Sequence, residues 1–184
     1  MSKKLLVLFG KAGSGKDTIC KGLCSKFPIN KLVRATTRPK REQEQDGIDY
    51  FFQDHLTLSS EILNGAENFL EVGVFNDWIY ATPKDQLKEG WNITTCDIDA
   101  VRQILESDIE VYPVLVYASD KERMLRALHR EQSPNVKEIV RRFMSDEEDY
   151  KHEDFEYIFL HNPNGKDINW IIQELEKNNI DLRK

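Results

Sequence analysis

The sequence predicts an α/β fold built on a parallel sheet, and three observations lead to this prediction. Apolar runs of strand length alternate with amphipathic segments of helix length along most of the 184 residues. The first apolar run, LLVLF, leads directly into a glycine-rich turn that opens a helical segment. A composition of 40% hydrophobic and 32% charged residues suits one globular domain with a substantial core.

The predicted elements follow this alternation in order along the chain. The apolar runs predict strands near Lys4–Phe9, Lys31–Ala35, Asn92–Cys96, Val111–Ala118 and Tyr157–His161. The amphipathic segments predict helices near Lys16–Lys26, Ala100–Glu106, Lys121–His129, Val136–Asp149 and Ile168–Lys177. Because helices separate most of the successive strands, the strands are expected to run parallel.

Two stretches break the alternation. The first, from Thr36 to about Leu87, is rich in aromatic and charged residues but only weakly periodic, as expected of an inserted lobe. The second, HREQSPNV, is polar with a proline at its centre, which is typical of a flap. We therefore expect a single domain with a core at about 1–35 and 88–184, an insertion at about 36–87 and a flap at about 129–136.

Charge and hydropathy argue against two kinds of binding partner, nucleic acids and membranes. A formal net charge of −6 argues against nucleic acid as a partner, because binding its phosphate backbone requires a basic surface. No apolar run reaches the roughly 18–20 residues of a membrane span. The three cysteines fit a reduced chain, and we expect a cytoplasmic protein without a membrane partner.

The stretch GKAGSGKDT, after the first apolar run, matches the phosphate-binding pattern G-x-x-x-x-G-K-[ST] except at one position. Glycines let consecutive backbone N–H groups converge on phosphate oxygens, and the following helix adds its positive N-terminal end. Lys16 supplies a point charge for the β- and γ-phosphates. A glycine-rich turn without a ligand is the alternative, but the flanking strand and helix provide the context that the motif requires.

Asp17 occupies the position at which this pattern has a hydroxyl that ligates Mg²⁺. The helix dipole favours an anion there, and Mg²⁺ accepts carboxylate ligands directly or through water. Asp17 is therefore a candidate Mg²⁺ ligand. A helix cap without metal contact is the other interpretation.

The insertion carries the residue types of a second phosphate site. Its first part, RATTRPKREQEQDGIDYFF, concentrates positive charge in an acidic protein through Arg34, Arg38, Lys40 and Arg41. Arginine forks and tyrosine hydroxyls hold terminal phosphates, and a carboxylate can accept two N–H groups from a guanine edge. A solvated basic face is the alternative interpretation. Two phosphate sites in one domain would suit a reaction between two nucleotides.

Taken in order, these segments resemble the guanylate kinase family from Leu5 to about Asn162. The family's acceptor-binding pattern is T-T-R-x-x-R, G-x-D-Y-x-F, F-L-E and Y-G-[ST]. Its matches are Thr36, Thr37, Arg38, Arg41, Gly47, Asp49, Tyr50, Phe52, Phe69, Leu70, Glu71, Tyr80 and Thr82. The family's D-x-D pair falls on Asp97 and Asp99, and the arginines of its flap and of the next helix fall on Arg126, Arg130 and Arg142.

The resemblance implies a P-loop kinase core with an inserted acceptor-nucleotide lobe and a short flap. Such an enzyme phosphorylates GMP or dGMP with ATP and Mg²⁺. The reaction forms no covalent protein intermediate, so it depends on alignment, charge neutralisation and exclusion of water.

Carried over position by position, the resemblance also implies roles for individual residues. ATP would be bound by Gly10, Lys11, Ala12, Gly13, Ser14, Gly15, Lys16, Asp17 and Thr18. The acceptor phosphate would be held by Arg38, Arg41, Tyr50 and Tyr80. The guanine N1–H and 2-amino group would be bound by Glu71 and Asp99, with Thr82 beside the base. The transferring phosphoryl group would be surrounded by Lys16, Arg126, Arg130 and Arg142. Asp97 is a candidate Mg²⁺ ligand together with Asp17, where the chain departs from the family's serine.

Arg34 departs from the family, which has a serine at this position. A guanidinium can donate two hydrogen bonds to guanine O6 and N7, so we expect Arg34 to read this edge of the acceptor base. The alternative is an arginine that points to solvent or to the phosphate. Ala81 and Arg102 replace glycines of the family pattern.

Other functions also remain open at this point. The S-G-K-D-T loop resembles that of some viral deoxynucleoside monophosphate kinases, which indicates a broader deoxynucleotide acceptor as one alternative. A non-catalytic guanylate-kinase-like binding module is another. The sequence leaves open the sugar of the acceptor, the range of donors and the oligomeric state. The intact Lys16 and flap arginines favour an enzyme.

Overall fold

The structure is a computed structural model that describes residues 2–75, 77–130, 133–151, 154–162 and 167–183. The strands are β1 (Lys3–Phe9), β2 (Asn30–Lys31), β3 (Ala35–Thr36), β4 (Phe51–Phe52), β5 (Phe69–Phe75), β6 (Trp78–Pro83), β7 (Gly90–Cys96), β8 (Glu110–Tyr117) and β9 (Ile158–His161). The α-helices are α1 (Lys16–Lys26), α2 (His55–Gly65), α3 (Ile98–Leu105), α4 (Asp120–His129), α5 (Val136–Asp149) and α6 (Ile168–Lys177).

In the described part of the chain, the core is a five-stranded parallel sheet in the order β2-β7-β1-β8-β9. Leu5 to Phe9 of the central strand β1 are completely buried. Their side chains alternate between two hydrophobic clusters, one with residues of α1 and α6 and the other with residues of α3. Helices therefore cover both faces, and the predicted parallel α/β architecture is confirmed.

The insertion forms a second sheet in the order β4-β3-β6-β5, with α2 packed against it. The sequence predicted a lobe here but none of its elements. Two of the strands contain only two residues, and β5 has an irregular register at Phe69 and Glu71. Leu56 and Leu63 of α2 are 82% and 86% exposed, so the apolar pattern of this helix does not mark its buried face.

The single strand predicted at Lys31–Ala35 is wrong. The chain instead leaves the core sheet after Leu32, whose N–H donates to Ile93, and then joins the second sheet at β3. Between the two sheets, the Gln86 side-chain amide donates to the Val33 carbonyl at 2.8 Å and accepts from the Val33 N–H at 2.7 Å. The Gln86 side chain therefore makes the two backbone hydrogen bonds that a neighbouring strand would otherwise make with Val33.

The helix boundaries agree closely with the sequence. α1, α5 and α6 have the predicted limits, whereas α3 begins two residues earlier than expected because Asp97 caps it through the Ala100 N–H. The predicted flap at 129–136 lies between α4 and α5, and its residues 131 and 132 are outside the described residues. No helix in the described ranges is both long and apolar enough to cross a membrane.

Candidate active site

The candidate site lies at the carboxyl edge of the core sheet. The glycine-rich loop, residues 10–15, connects the central strand β1 to α1, while Asp97 and Asn162 directly follow β7 and β9. The carboxyl ends of parallel strands meet at one edge, where ligands bind in open α/β sheets. The topology therefore brings these separate segments together.

The geometry of the loop requires glycine at its end. Gly15 has a φ of 101°, and a Cβ there would lie 2.4 Å from the Asn162 side chain. From the first turn of α1, Lys16 donates to the Gly10 carbonyl at 2.5 Å. Burial lowers the pKa of Lys16, while the Asp17 carboxylate acts in the opposite direction.

Asp17 is exposed at the start of α1 and accepts a hydrogen bond from Thr95 at 3.0 Å. It therefore links the first turn of α1 to the end of β7. Within the described residues, no group of three or more His, Cys, Asp or Glu side chains could hold a metal ion by itself. This arrangement fits Mg²⁺, which is usually held by one or two carboxylates together with substrate phosphates and water.

The arginines predicted to hold the acceptor phosphate are organised by Glu44, which the sequence interpretation did not single out. Its carboxylate accepts from the Arg38 guanidinium at 2.7 Å and from the Arg41 backbone N–H at 2.9 Å. The Arg38 guanidinium also lies over the rings of Tyr50 and Phe52, at 5.3 and 5.6 Å. Glu44 thus anchors the basic cluster.

Positive charge is concentrated beside this cluster. Burial lowers the pKa of Arg41, and the nearby charges of Arg38, Arg142 and Arg130 lower it further. Burial also raises the pKa of the Tyr50 phenol. An anion that reached this point would be attracted by several guanidinium groups together.

Arg34 forms a buried, two-point ion pair with Glu71. Its Nε and Nη2 atoms donate to the two carboxylate oxygens at 2.9 and 3.0 Å, and the Thr82 hydroxyl donates to the same carboxylate at 2.6 Å. Burial alone would lower the pKa of Arg34, but the Glu71 and Asp97 carboxylates raise it above its ordinary value. The guanidinium lies 5.1 Å from the centre of the Tyr80 ring.

This ion pair bears on the predicted contact between Glu71 and the guanine base. The Glu71 side chain has no exposed surface, and both of its oxygens already accept hydrogen bonds, so it does not face the cleft. Arg34 lines the cleft in front of it, and Thr82 is likewise completely buried. The direct contact of Glu71 with guanine that the resemblance implied is not available in this structure.

The two aspartates of the D-x-D pair, Asp97 and Asp99, lie in different surroundings, one in the cleft and the other on the surface. The side chain of Asp97 is 30% exposed, and its Oδ2 lies 3.7 Å from Arg34 Nη2 in the cleft. Asp99 is 70% exposed and pairs with Arg102 at 2.6 Å. The structure therefore places Asp97, rather than Asp99, in the cleft.

The three arginines that were predicted to surround the transferring phosphoryl group do not lie together. Arg130 and Arg142 line the cleft, and Arg142 is held by Glu138 at 2.8 Å. Arg126 instead donates to the carbonyls of Gly13, Ser14 and Asn162 at 3.0–3.2 Å. It borders a second pocket, which is lined by Gly15, Thr18, Ile19, Gly22, Asn162, Ile168 and Ile171. Arg126 therefore lies apart from the other two.

A solvent-open cleft of about 130 Å³ joins the two halves of the site. From the phosphate-binding loop and its helix it includes Gly10, Ala12, Gly13, Lys16 and Asp17. From the insertion and its approach it includes Arg34, Arg38, Arg41, Tyr50 and Tyr80, and the flap side contributes Arg130 and Arg142. Of the remaining predicted residues, Thr18 lines two other pockets, whereas Ser14 of the loop is buried.

Three further residues of this region were not predicted. Asp146 and Tyr150 of the α5 end accept hydrogen bonds from the loop N–H groups of Ala12 and Gly10, and the buried Arg123 pairs with Asp146. In the sequence they are unremarkable members of charged helices. Only the packing of α4 and α5 against the loop gives them a role.

Comparisons with known proteins identify the family. The guanylate kinase family model matches residues 2–178. A guanylate kinase of Clostridioides difficile is 32% identical over 190 aligned residues, covering 98% of this chain and 91% of the relative. Another, of Caldanaerobacter subterraneus subsp. tengcongensis, is 31% identical over 164 residues, covering 86% and 76%. The crystal structure of guanylate kinase from Anaplasma phagocytophilum shares the fold, with a TM-score of 0.64 at 20% identity over 98% of this chain and 88% of that one. The chain belongs to the guanylate kinase family.

Proposed function

We propose that the protein transfers the γ-phosphoryl group of ATP to the phosphate of GMP or dGMP. The observation that carries this proposal is the single cleft in which the phosphate-binding loop faces the basic cluster of the insertion. A donor phosphate on the loop and an acceptor phosphate on Arg38 and Arg41 would meet there. The single-domain organisation and a cytoplasmic location belong to the same proposal, and the three free cysteines fit a reducing compartment.

Arg34 and Asp97 provide the argument for guanine. They present a hydrogen-bond donor and an acceptor 3.7 Å apart on the wall of the cleft. Guanine offers the complementary pair, because its O6 accepts and the adjacent N1–H and 2-amino group donate. Adenine reverses this pattern, which would leave buried polar groups unpaired. In this proposal Glu71 and Thr82 hold Arg34 in place instead of touching the base.

The second pocket is the proposed site of the donor base. It places the Arg126 guanidinium beside the apolar side chains of Ile19, Ile168 and Ile171, next to the start of α1. A planar adenine can stack on a guanidinium, and the phosphates would then extend over the loop. Arg126 accordingly binds ATP, whereas Lys16, Arg130 and Arg142 surround the transferring group.

The transfer itself needs no protein nucleophile. The attacking atom is an oxygen of the acceptor phosphate, and the leaving oxygen belongs to the β-phosphate of ATP. Lys16, Arg130 and Arg142 would stabilise the charge on the equatorial oxygens of the transferring group. Mg²⁺, when bound beside Asp17 and Asp97, would neutralise charge on the donor phosphates. Exclusion of water from the cleft would strengthen these interactions and prevent hydrolysis of ATP.

The proposal is tested by measuring ADP release with ATP and each ribo- and deoxyribonucleoside monophosphate. GMP, dGMP or both should be the best acceptors. Comparable turnover of dCMP and dTMP would favour the broader deoxynucleotide kinase, and ATP-independent binding of GMP without turnover would favour a binding module. A chain that neither turns over nor binds guanine nucleotides would contradict the proposal.

Glu44→Gln is expected to raise the KM for GMP about tenfold, because a neutral amide holds Arg38 and Arg41 less firmly beneath the acceptor phosphate. Inhibition by guanosine, which has no phosphate, should be unchanged, as should the KM for ATP. The matched control is Glu42→Gln, in the same loop but exposed. If guanosine and GMP weaken in parallel, Glu44 supports the lobe in general and not the phosphate site.

Removing Mg²⁺ is expected to weaken ATP binding more in the parent than in Asp17→Ala. The Asp17 carboxylate repels the β-phosphate when no metal is present, and the metal cancels that repulsion. Asp17→Asn is the matched variant because it keeps an acceptor for Thr95. ATP affinity measured with Mg²⁺ and with a chelator checks the expectation. Equal Mg²⁺ dependence in all three proteins would leave Asp17 with only its structural contact to Thr95.

A further inference from the structure

A buried ion pair joins the two helices that flank the flap. Arg123 of α4 is 1% exposed and Asp146 of α5 is 3% exposed, and Arg123 Nη2 donates to Asp146 Oδ2 at 2.5 Å. The guanidinium also stacks over Phe143 at 4.3 Å. A buried pair of this kind gives little stability over an apolar pair of the same volume, so stability alone does not explain it.

Both members of the pair also hold Ala12 of the phosphate-binding loop. The Nε atom of Arg123 donates to the Ala12 carbonyl at 2.9 Å, and the Ala12 N–H donates to Asp146 Oδ2 at 2.8 Å. The peptide groups on the two sides of Ala12 are therefore fixed by one charge each. The next residue, Gly13, has a φ of +79°, and a Cβ there would lie 2.8 Å from the Arg123 carbonyl, so the loop packs directly on the α4 backbone.

The same turn of α5 holds the two preceding residues of the loop. Tyr150 Oη accepts from the Gly10 N–H at 3.0 Å, and Glu147 accepts from Lys11 Nζ at 2.5 Å. Three consecutive loop residues are thus attached to residues 146–150, which form the last turn of α5 and its C-cap. This part of the loop precedes the N–H groups of Gly15 and α1 that face the donor phosphates.

These helices also carry the two arginines of the cleft. Arg130 caps the end of α4, and Arg142 lies one turn before Asp146 on α5. We propose that Arg123 and Asp146 are positioning residues, which hold the phosphate-binding loop against α4 and α5. They thereby set the position of the donor phosphates relative to Arg130 and Arg142. The inference rests on the proposed function for the identity of the donor.

The test is ATP affinity without acceptor, measured for the double variant Arg123→Met/Asp146→Leu. Removing both charges together should lower the melting temperature by no more than about 8 °C, because an apolar pair replaces the ion pair and only the two hydrogen bonds to Ala12 are lost, at about 1 kcal/mol each. The Kd for ATP should nevertheless rise at least about tenfold, since Ala12 loses both of its partners. GMP affinity should change by less than about twofold. Glu148→Gln, on the exposed side of α5, is the control and should match the parent.

Two outcomes overturn the inference: ATP affinity equal to that of the parent, or equal losses of ATP and GMP affinity, which indicate general damage. Should the double variant not fold, Asp146→Asn decides the matter. It removes the charge but keeps an acceptor for Ala12, so the Kd for ATP should rise only about three- to tenfold with GMP unaffected. Unchanged ATP affinity in this variant also overturns the inference. Because binding is measured without turnover, a failure of the proposed reaction would be seen separately, in the parent.

Discussion

Arg34→Met is expected to lower kcat/KM for GMP by about a hundredfold and to reduce the preference for GMP over AMP to within about tenfold. The guanidinium is the donor that faces the O6 edge of the base in our account, and Met cannot replace it. Kinetics with GMP and AMP measure this effect. A variant that keeps the parental GMP to AMP ratio would contradict the assignment of Arg34 to the base, whatever its absolute activity.

The same substitution is expected to reduce the free energy of unfolding by about 3–5 kcal/mol, because Glu71 would be left buried without its partner. The double variant Arg34→Met/Glu71→Met removes both charges and should recover most of this stability without recovering the preference for guanine. The comparison separates the structural contribution of the pair from its contribution to recognition. In Arg34→Ala, the ratio of the KM values for GMP and 7-deaza-GMP tests the N7 contact alone.

Arg130→Ala is expected to decrease kcat by about a thousandfold while changing the KM values for ATP and GMP by less than about threefold. Arg130 stands at the end of α4 where the flap begins, so we expect it to reach the transferring group mainly in the transition state. Steady-state kinetics at saturating substrates measure this.

The control for Arg130 is Arg102→Ala. Arg102 pairs with Asp99 and Asp154 on the surface and does not line the cleft, so this variant should retain the parental kcat. Normal turnover by Arg130→Ala would show that its guanidinium does not contact the transferring phosphoryl group. A parallel loss in both variants would point to a general sensitivity of the protein to lost positive charge.

The parts of the site that could be predicted are those formed by residues that lie close together in the sequence. The phosphate-binding loop is a local motif between a strand and a helix, and the structure gives α1 the predicted limits. The basic cluster of the insertion was predicted for the same reason. Arg38 and Arg41 lie close together in the sequence, and the structure places both of them in the cleft.

The parts that could not be predicted depend on contacts between distant residues. Arg34 and Glu71 are 37 positions apart, and nothing local to either residue indicates that they pair. Arg123 and Asp146 lie on separate helices, where most charged side chains face solvent. The choice between Asp97 and Asp99 follows from the start of α3. Asp97 caps the helix at the edge of the cleft, and the first turn carries Asp99 outward.

Recognition of guanine by Arg34 and Asp97 is tested by kcat/KM with ATP and each of three acceptors, GMP, IMP and AMP. IMP keeps O6 and N1–H but lacks the 2-amino group, whereas AMP reverses the pattern of donor and acceptor that Arg34 and Asp97 present. GMP is expected to be the best of the three, with IMP lower by about ten- to a hundredfold and AMP lower than GMP by at least about a hundredfold. Phosphorylation of AMP with a kcat/KM within about tenfold of that for GMP would contradict recognition of guanine by Arg34 and Asp97.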